Sequence, residues 1–233
     1  MTIFVLGMHR SGTSAITRLI ADMGAYIGAE DEMLPPNPDN PQGFWERGDV
    51  LAINRAIMQA QHCNWYTVEH FDSRQPLPPA LQRPLQACAA TLAAHSPFVV
   101  KDPRFCLTLP YWLPHVQNPV IVLALRHPAT IADSLHRRNN MAPEQGLALW
   151  ENHMTHALKN IAGLPVVRCR FETLMENPAE EIPALHRALA RHFPGLTLPS
   201  IHAINPAFAR AAPAKIQLSS TQQALYERAM KGE

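Results

Sequence analysis

Two glycines, three hydroxyls, a histidine and an arginine fall within eight residues near the start of the chain, in Gly7-Met-His-Arg-Ser-Gly-Thr-Ser14. Residue types in this pattern hold anions. Glycines at 7 and 12 reach backbone angles closed to other residues, so the successive N–H groups of Ser11 to Ser14 can turn toward one point. A helix starting there would favour the same negative charge through its dipole, and Arg10 adds a full cation. The stretch predicts a cradle for a phosphate or sulfate ester, with His9, Arg10, Ser11, Gly12, Thr13 and Ser14 as its candidate residues. The plainer alternative is an ordinary glycine-containing turn between a strand and a helix. Against the nucleotide-binding pattern G-x-x-x-x-G-K-[ST], both glycines and Ser14 fit, while Thr13 stands where the lysine belongs. A kinase or ATPase uses that lysine on the β- and γ-phosphates, and the nearest cation here is Arg10, three residues earlier. The expected ligand is therefore a different phosphate ester.

Three other stretches carry charge where a parallel sheet would present it. Residues 98–100 read as a buried strand delivering Lys101, Asp102 and Arg104 at its C-terminal end, the edge at which open parallel sheets bind ligands. Lys101 is thereby placed to meet the same anion as the cradle. Asp102 follows an apolar run, as a metal-holding aspartate of a nucleotide-hydrolysing enzyme does; the competing reading of Lys101, Asp102 and Arg104 is a local ion-pair cluster holding the Pro103 turn. Residues 119–125 form the clearest buried strand and end in Arg126-His127-Pro128, with Ser134 eight residues after Arg126 on the next helix. A planar guanidinium fork with a hydroxyl donor suits a second phosphate. Glu46, beside Phe44 and Trp45, is either a partly desolvated general base or a solvated carboxylate in the first turn of a helix. His9 and His127 are its rivals as base, since imidazole titrates near neutrality.

Positioning these groups takes strands that end in them and helices that begin beside them. Apolar runs predict strands at 3–6, 98–100, 119–125 and 164–169. Helical spacing predicts helices at 14–23 with Gly24 as a stop, around 50–58, and at 80–95, 129–139, 144–161, 178–192 and 219–230. Arg137 and Arg138 are assigned to a helix C-terminus and Trp150 to core packing. The proline-rich residues 26–43 and the stretch 61–79 read as loops, and 199–217 as an irregular return. Strands alternating with helices predict an α/β fold of the P-loop type, a three-layer α/β/α arrangement around a central parallel sheet, as a single domain over residues 1–233. With 233 residues, 47% hydrophobic and 17% charged, the chain is long enough for a well-covered core. A net charge of +1 provides no global field to recruit nucleic acid or an anionic membrane, so anion selectivity has to be local. Cys63, Cys88, Cys106 and Cys169 form no CxxC pair, and His153 and His156 lack i, i+4 spacing and a third ligand, so no metal site is expected. Isolated thiols and the lack of any span long enough for a bilayer lead us to expect a soluble, cytoplasmic protein.

The stretch at 7–14, taken with Leu-Arg-His-Pro-Ala-Thr-Ile-Ala-Asp-Ser at 125–134, resembles the two motifs by which sulfotransferases bind PAPS (3′-phosphoadenosine 5′-phosphosulfate). The similarity is to a bacterial branch resembling the carbohydrate and tyrosylprotein enzymes. It implies that residues 10–14 hold the 5′-phosphosulfate, with Arg10 near the bridging oxygen, and that Arg126 and Ser134 hold the 3′-phosphate. It implies that Lys101, in Lys-Asp-Pro, contacts the sulfate, and that Asn-Pro-Gln-Gly-Phe-Trp-Glu at 40–46 is an acceptor-side segment with Glu46 as base. The catalytic set so implied is Arg10, Glu46 and Lys101. Arg170-Phe-Glu-Thr-Leu174 before an amphipathic helix fits the family's usual ending, while no RKG-type segment follows; Arg210 and Lys215 are the candidates to cover the phosphate. The implied reaction moves a sulfuryl group in line from PAPS to an acceptor hydroxyl, on a carbohydrate by preference, releasing PAP without a metal. The acceptor pocket is expected from the proline-rich loop and residues 64–74. The alternatives are a P-loop small-molecule kinase using Mg-ATP, against which Thr13 argues, and a non-catalytic phosphonucleotide-binding module.

Overall fold

Strand β1 (Thr2–Leu6) is buried at every position, a pattern that arises when a strand is covered on both faces. The same holds for β2 (Phe98–Lys101) and β3 (Val120–Leu125), while β4 (Val166–Arg170) lies at an edge and is partly open. In this computed structural model, which describes residues 1–35, 43–200, 212–213 and 215–232, the strands form one parallel sheet of order β2-β1-β3-β4. Side chains alternate across it. Ile3, Val5, Val99, Val122 and Ala124 pack on one face with α1 (Thr13–Asp22), α7 (Phe171–Glu176) and α8 (Pro178–Ala190). Phe4, Leu6, Val100, Ile121 and Leu123 pack on the other. That second layer holds α2 (Gly48–Gln59), α3 (Pro79–Ala94), α4 (Phe105–Trp112), α5 (Pro128–Asn139), α6 (Pro143–Asn160) and α9 (Ser220–Lys231). The three-layer α/β/α arrangement with a central parallel sheet is as the alternating pattern predicts.

Proline punctuates these helices. Pro79, Pro128, Pro143 and Pro178 each occupy the first helical turn, where a missing N–H costs nothing and the fixed φ is already helical. At α9, Ser219 Oγ accepts the Gln222 N–H at 3.2 Å and the Gln222 side chain accepts the Ser219 N–H at 3.0 Å, a reciprocal cap. The predicted helix and strand ends differ from the observed ones mostly by one or two residues, the usual fraying of element boundaries. Helices α4 and α7 are the ones that periodicity missed. Seven of the eight residues of α4 are buried, so it has no polar face to reveal a helical period, and the six residues of α7 are too few to show one.

The sheet order matters for the site. From β1 the chain goes to β2 on one side and β3 lies on the other, so the switch point of the sheet is at the C-terminal ends of β1 and its two neighbours. The residues following β1, β2 and β3 are Gly7–Ser14, Asp102–Arg104 and Arg126 onward, with Lys101 the last residue of β2. Among the described residues no helix is long and apolar enough to cross a membrane, and the four cysteines are buried free thiols.

Candidate active site

The loop after β1 turns sharply before α1 begins. Gly12 is the N-cap of α1 with φ 85°, a left-handed conformation that a Cβ disfavours. A Cβ there would also lie 2.0 Å from Cδ2 of Phe171. Arg10 adopts φ 73°, rare for a residue with a side chain and found where surrounding structure enforces it. The N–H of Ser11 donates to the Met8 carbonyl at 3.1 Å, so that group is spent on the turn and is not among those converging on an anion. This corrects the expectation for Ser11. Its hydroxyl is fully buried with no hydrogen-bond partner among the described residues. Thr13 and Ser14 open α1 and line the cavity described below.

Three side chains from distant parts of the chain meet at Ser14. Lys101 Nζ donates to Glu46 Oε1 at 2.6 Å and to Ser14 Oγ at 3.2 Å, and Ser14 Oγ donates to the Phe44 carbonyl at 3.1 Å. The Lys101 and Glu46 side chains are 1% and 10% exposed. Glu46 is therefore the desolvated carboxylate of the two readings, held by a buried cation. Arg47 beside it is buried and bridges Glu32 at 2.6 Å and Asp49 at 2.8 Å, which ties residues 29–33 to the start of α2. Its hydrogen bonds hold the Glu32 carboxyl below the usual range.

A second group forms behind the loop. Arg126 Nη1 donates to the Arg10 carbonyl at 2.8 Å, and Arg10 Nε donates to Ser134 Oγ at 3.0 Å. The Arg126 guanidinium lies 4.6 Å over the Phe171 ring, a cation–π contact that fixes its plane. Arg10 thus connects the two candidate phosphate motifs physically.

Asp102 belongs to the scaffold. One oxygen accepts the Arg104 N–H at 2.9 Å and Arg104 Nη1 at 2.8 Å, and the other accepts Asn54 Nδ2 at 3.0 Å. Asn54 in turn accepts from Thr108 and from Trp112 Nε1, at 2.8 and 2.9 Å. With both oxygens occupied and buried, the metal-holding reading fails. The local ion-pair reading holds for Asp102 and Arg104, while Lys101 points instead to Glu46.

A cavity of about 470 Å³ opens over these groups, within the size range of small-molecule sites. Its walls include His9, Arg10, Thr13, Ser14, Glu46 and Lys101. Arg126 and Ser134 reach it through Arg10. The His9 ring stands 4.9 Å from the Trp65 ring and its Nε2 is buried with no hydrogen-bond partner among the described residues. Burial, aided by Arg104, His153, Lys101 and Arg138, pushes its pKa well below the ordinary value and keeps it neutral. His127 is not among the lining residues of this cavity; its Nδ1 accepts the Ala129 N–H at 3.3 Å as the cap of α5, and its backbone N–H donates to Glu172.

Two charged wall residues, Arg55 and Arg138, are given no site role by the sequence reading. Arg138 lies in the last turn of α5, as the sequence reading expects, and lines the cavity as well; its i+4 spacing from Ser134 is the signal for the second role. Of residues 64–74, Trp65 lines the cavity, whereas Arg74 forms an exposed pair with Asp72 at 2.9 Å. Lys215 is exposed. Pro36, Pro38, residues 40–42 and Arg210 lie outside the described residues.

A profile of the sulfotransferase family matches residues 2–194. The chain belongs to the sulfotransferase family. It is an enzyme of sulfuryl transfer. Among solved structures, it is similar to the sulfotransferase domain from the curacin biosynthetic pathway, at 14% identity and TM-score 0.60, covering 97% of this chain and 96% of that one. It is similar to sulfotransferase STF1 from Mycobacterium tuberculosis H37Rv, at 19% identity and TM-score 0.61, covering 99% and 76%. A sulfotransferase domain from the Synechococcus PCC 7002 olefin synthase matches at 17% identity and TM-score 0.57, covering 97% and 93%. At these identities the likeness is one of fold. No curated protein sequence gives a match.

Proposed function

We propose that this sulfotransferase uses PAPS as donor and an acceptor hydroxyl on a carbohydrate or glycoconjugate, in the cytoplasm, with Glu46 as base. The observation that carries the reading is the buried Lys101–Glu46–Ser14 cluster facing the same cavity as Arg10, on a loop with Thr13 in place of the phosphate-binding lysine. When bound, PAPS supplies the sulfuryl group. Thr13 and Ser14, at the start of α1, hold its 5′-phosphosulfate with Arg10, and Arg126 with Ser134 hold the 3′-phosphate. Arg10 and Lys101 offset the negative charge gained by the bridging oxygen as its bond to sulfur breaks. Glu46 takes the acceptor's hydroxyl proton as the acceptor oxygen bonds to sulfur. Fixed cations and aimed donors supply the charge stabilisation, so the reaction needs no metal in this scheme.

Calorimetric titration with PAP (adenosine 3′,5′-bisphosphate), 5′-AMP and ATP with Mg²⁺ tests each phosphate position separately. PAP should bind tightest, with no change on adding EDTA. Arg126→Ala should weaken PAP by at least tenfold and 5′-AMP little. Preference for Mg-ATP would mean a kinase, equal losses for PAP and 5′-AMP would remove the assigned role of Arg126, and tight PAP binding without turnover in an acceptor screen would point to a binding module.

A further inference from the structure

Five permanently charged cations stand around the cavity, Arg10, Arg55, Lys101, Arg104 and Arg138, against one carboxylate, Glu46. Most of them are already engaged. Lys101 pairs with Glu46 at 2.6 Å and Arg104 pairs with Asp102 at 2.8 Å. Arg10 is tied to Ser134, and Arg138 stands one helical turn past Ser134 on α5, on the donor side of the cavity. Arg55 is different. It lies on α2 one turn beyond Leu51, another lining residue, and it takes part in no ion pair among the described residues. Asp49, a carboxylate of the same helix, is already held by Arg47 at 2.8 Å.

The position of Arg55 is set relative to the proposed base. Helix α2 begins at Gly48, two residues after Glu46, and Arg55 follows at about 10 Å along the helix axis at 1.5 Å per residue. Trp65 lines the cavity too and packs its ring 4.9 Å from His9. An aromatic face and an uncommitted guanidinium on the acceptor side suit a flat or ring-shaped molecule carrying an anionic substituent at some distance from the reacting hydroxyl.

We infer that the acceptor is itself anionic, a hydroxyl-bearing molecule whose carboxylate or phosphate is read by Arg55 while its ring lies against Trp65. This rests on the reading of the cavity as the sulfuryl-transfer site and narrows the acceptor class. Arg55 is solvent-exposed, so a neutral acceptor would leave its guanidinium hydrated, whereas an anionic one offers it a partner.

The test is binding of methyl β-glucuronide, methyl β-glucoside and glucose 6-phosphate to PAP-saturated wild-type protein and to Arg55→Glu and Arg55→Lys, by calorimetry at low salt. At least one anionic probe should bind tenfold or more tightly than the glucoside, and the two charged probes separate carboxylate from phosphate. Arg55→Glu should abolish the preference and Arg55→Lys should keep part of it, while PAP affinity and melting temperature stay at wild-type values. Equal binding of charged and neutral probes, or a preference that survives Arg55→Glu, overturns the inference. Absence of PAP binding would instead overturn the donor assignment, and the same probe series run without PAP would still decide the role of Arg55.

Discussion

Replacing Lys101 with Met separates the two jobs the structure gives this side chain. Its ammonium is 2.6 Å from Glu46 Oε1, in surroundings that leave the two side chains 1% and 10% exposed. Methionine keeps most of the volume and removes the charge, so Glu46 is left buried without a cation. Breaking a buried pair from one side costs about 3–5 kcal/mol. For a chain of this length, roughly 2–4 °C of melting temperature goes with each kcal/mol, so Lys101→Met should melt roughly 6–20 °C below wild type. The double variant Lys101→Met with Glu46→Gln removes both charges and should recover most of that loss. Catalysis should not recover. A missing charge-stabilising donor costs on the order of 10²–10³ in kcat, and the double variant also lacks the proposed base. The assay pairs thermal melts with PAP release from PAPS in the presence of an acceptor. A double variant no more stable than Lys101→Met would show that the stranded Glu46 charge is not what destabilises the single variant. A single variant with wild-type kcat would remove Lys101 from the chemistry.

Gly12→Ala puts a Cβ 2.0 Å from the Phe171 ring at a residue with φ 85°; the left-handed backbone alone costs about 1–2 kcal/mol. Because Phe171 lies under Arg126, the variant should lose PAP affinity by tenfold or more as well as stability. Wild-type PAP affinity in calorimetry would show that the loop conformation does not position the anion. Acid should destabilise the fold through His153. It is fully buried, and burial pushes its pKa down to about 4, against about 6.5 unfolded. The unfolded chain takes the proton first, so stability is complete above about pH 6.5 and falls as the pH drops toward 4, by about 2 kcal/mol at pH 5. Urea midpoints at pH 7.5 and 5 check this: His153→Gln should flatten the difference, and a flat wild-type profile would contradict it.

Local structure was legible in the residues because it depends on neighbours along the chain. The strand, glycine loop and helix around Gly7–Ser14 are contiguous, and prolines 128, 143 and 178 mark helix starts through their own ring geometry. Alternating strands and helices were enough for the layered parallel fold. Helix α4 was hidden because burial all round erases the polar half of the pattern. The meeting of Lys101 with Glu46, 55 residues apart, and of Arg10 with Ser134, 124 residues apart, depended on the strand order β2-β1-β3-β4. So did the fate of two neighbours in sequence, Lys101 turned toward the cavity and Asp102 toward Asn54. A residue's type states which partners its chemistry accepts; only the packing of the sheet and its helices decides which of them is within reach, because that choice is made by contacts between segments far apart in the chain.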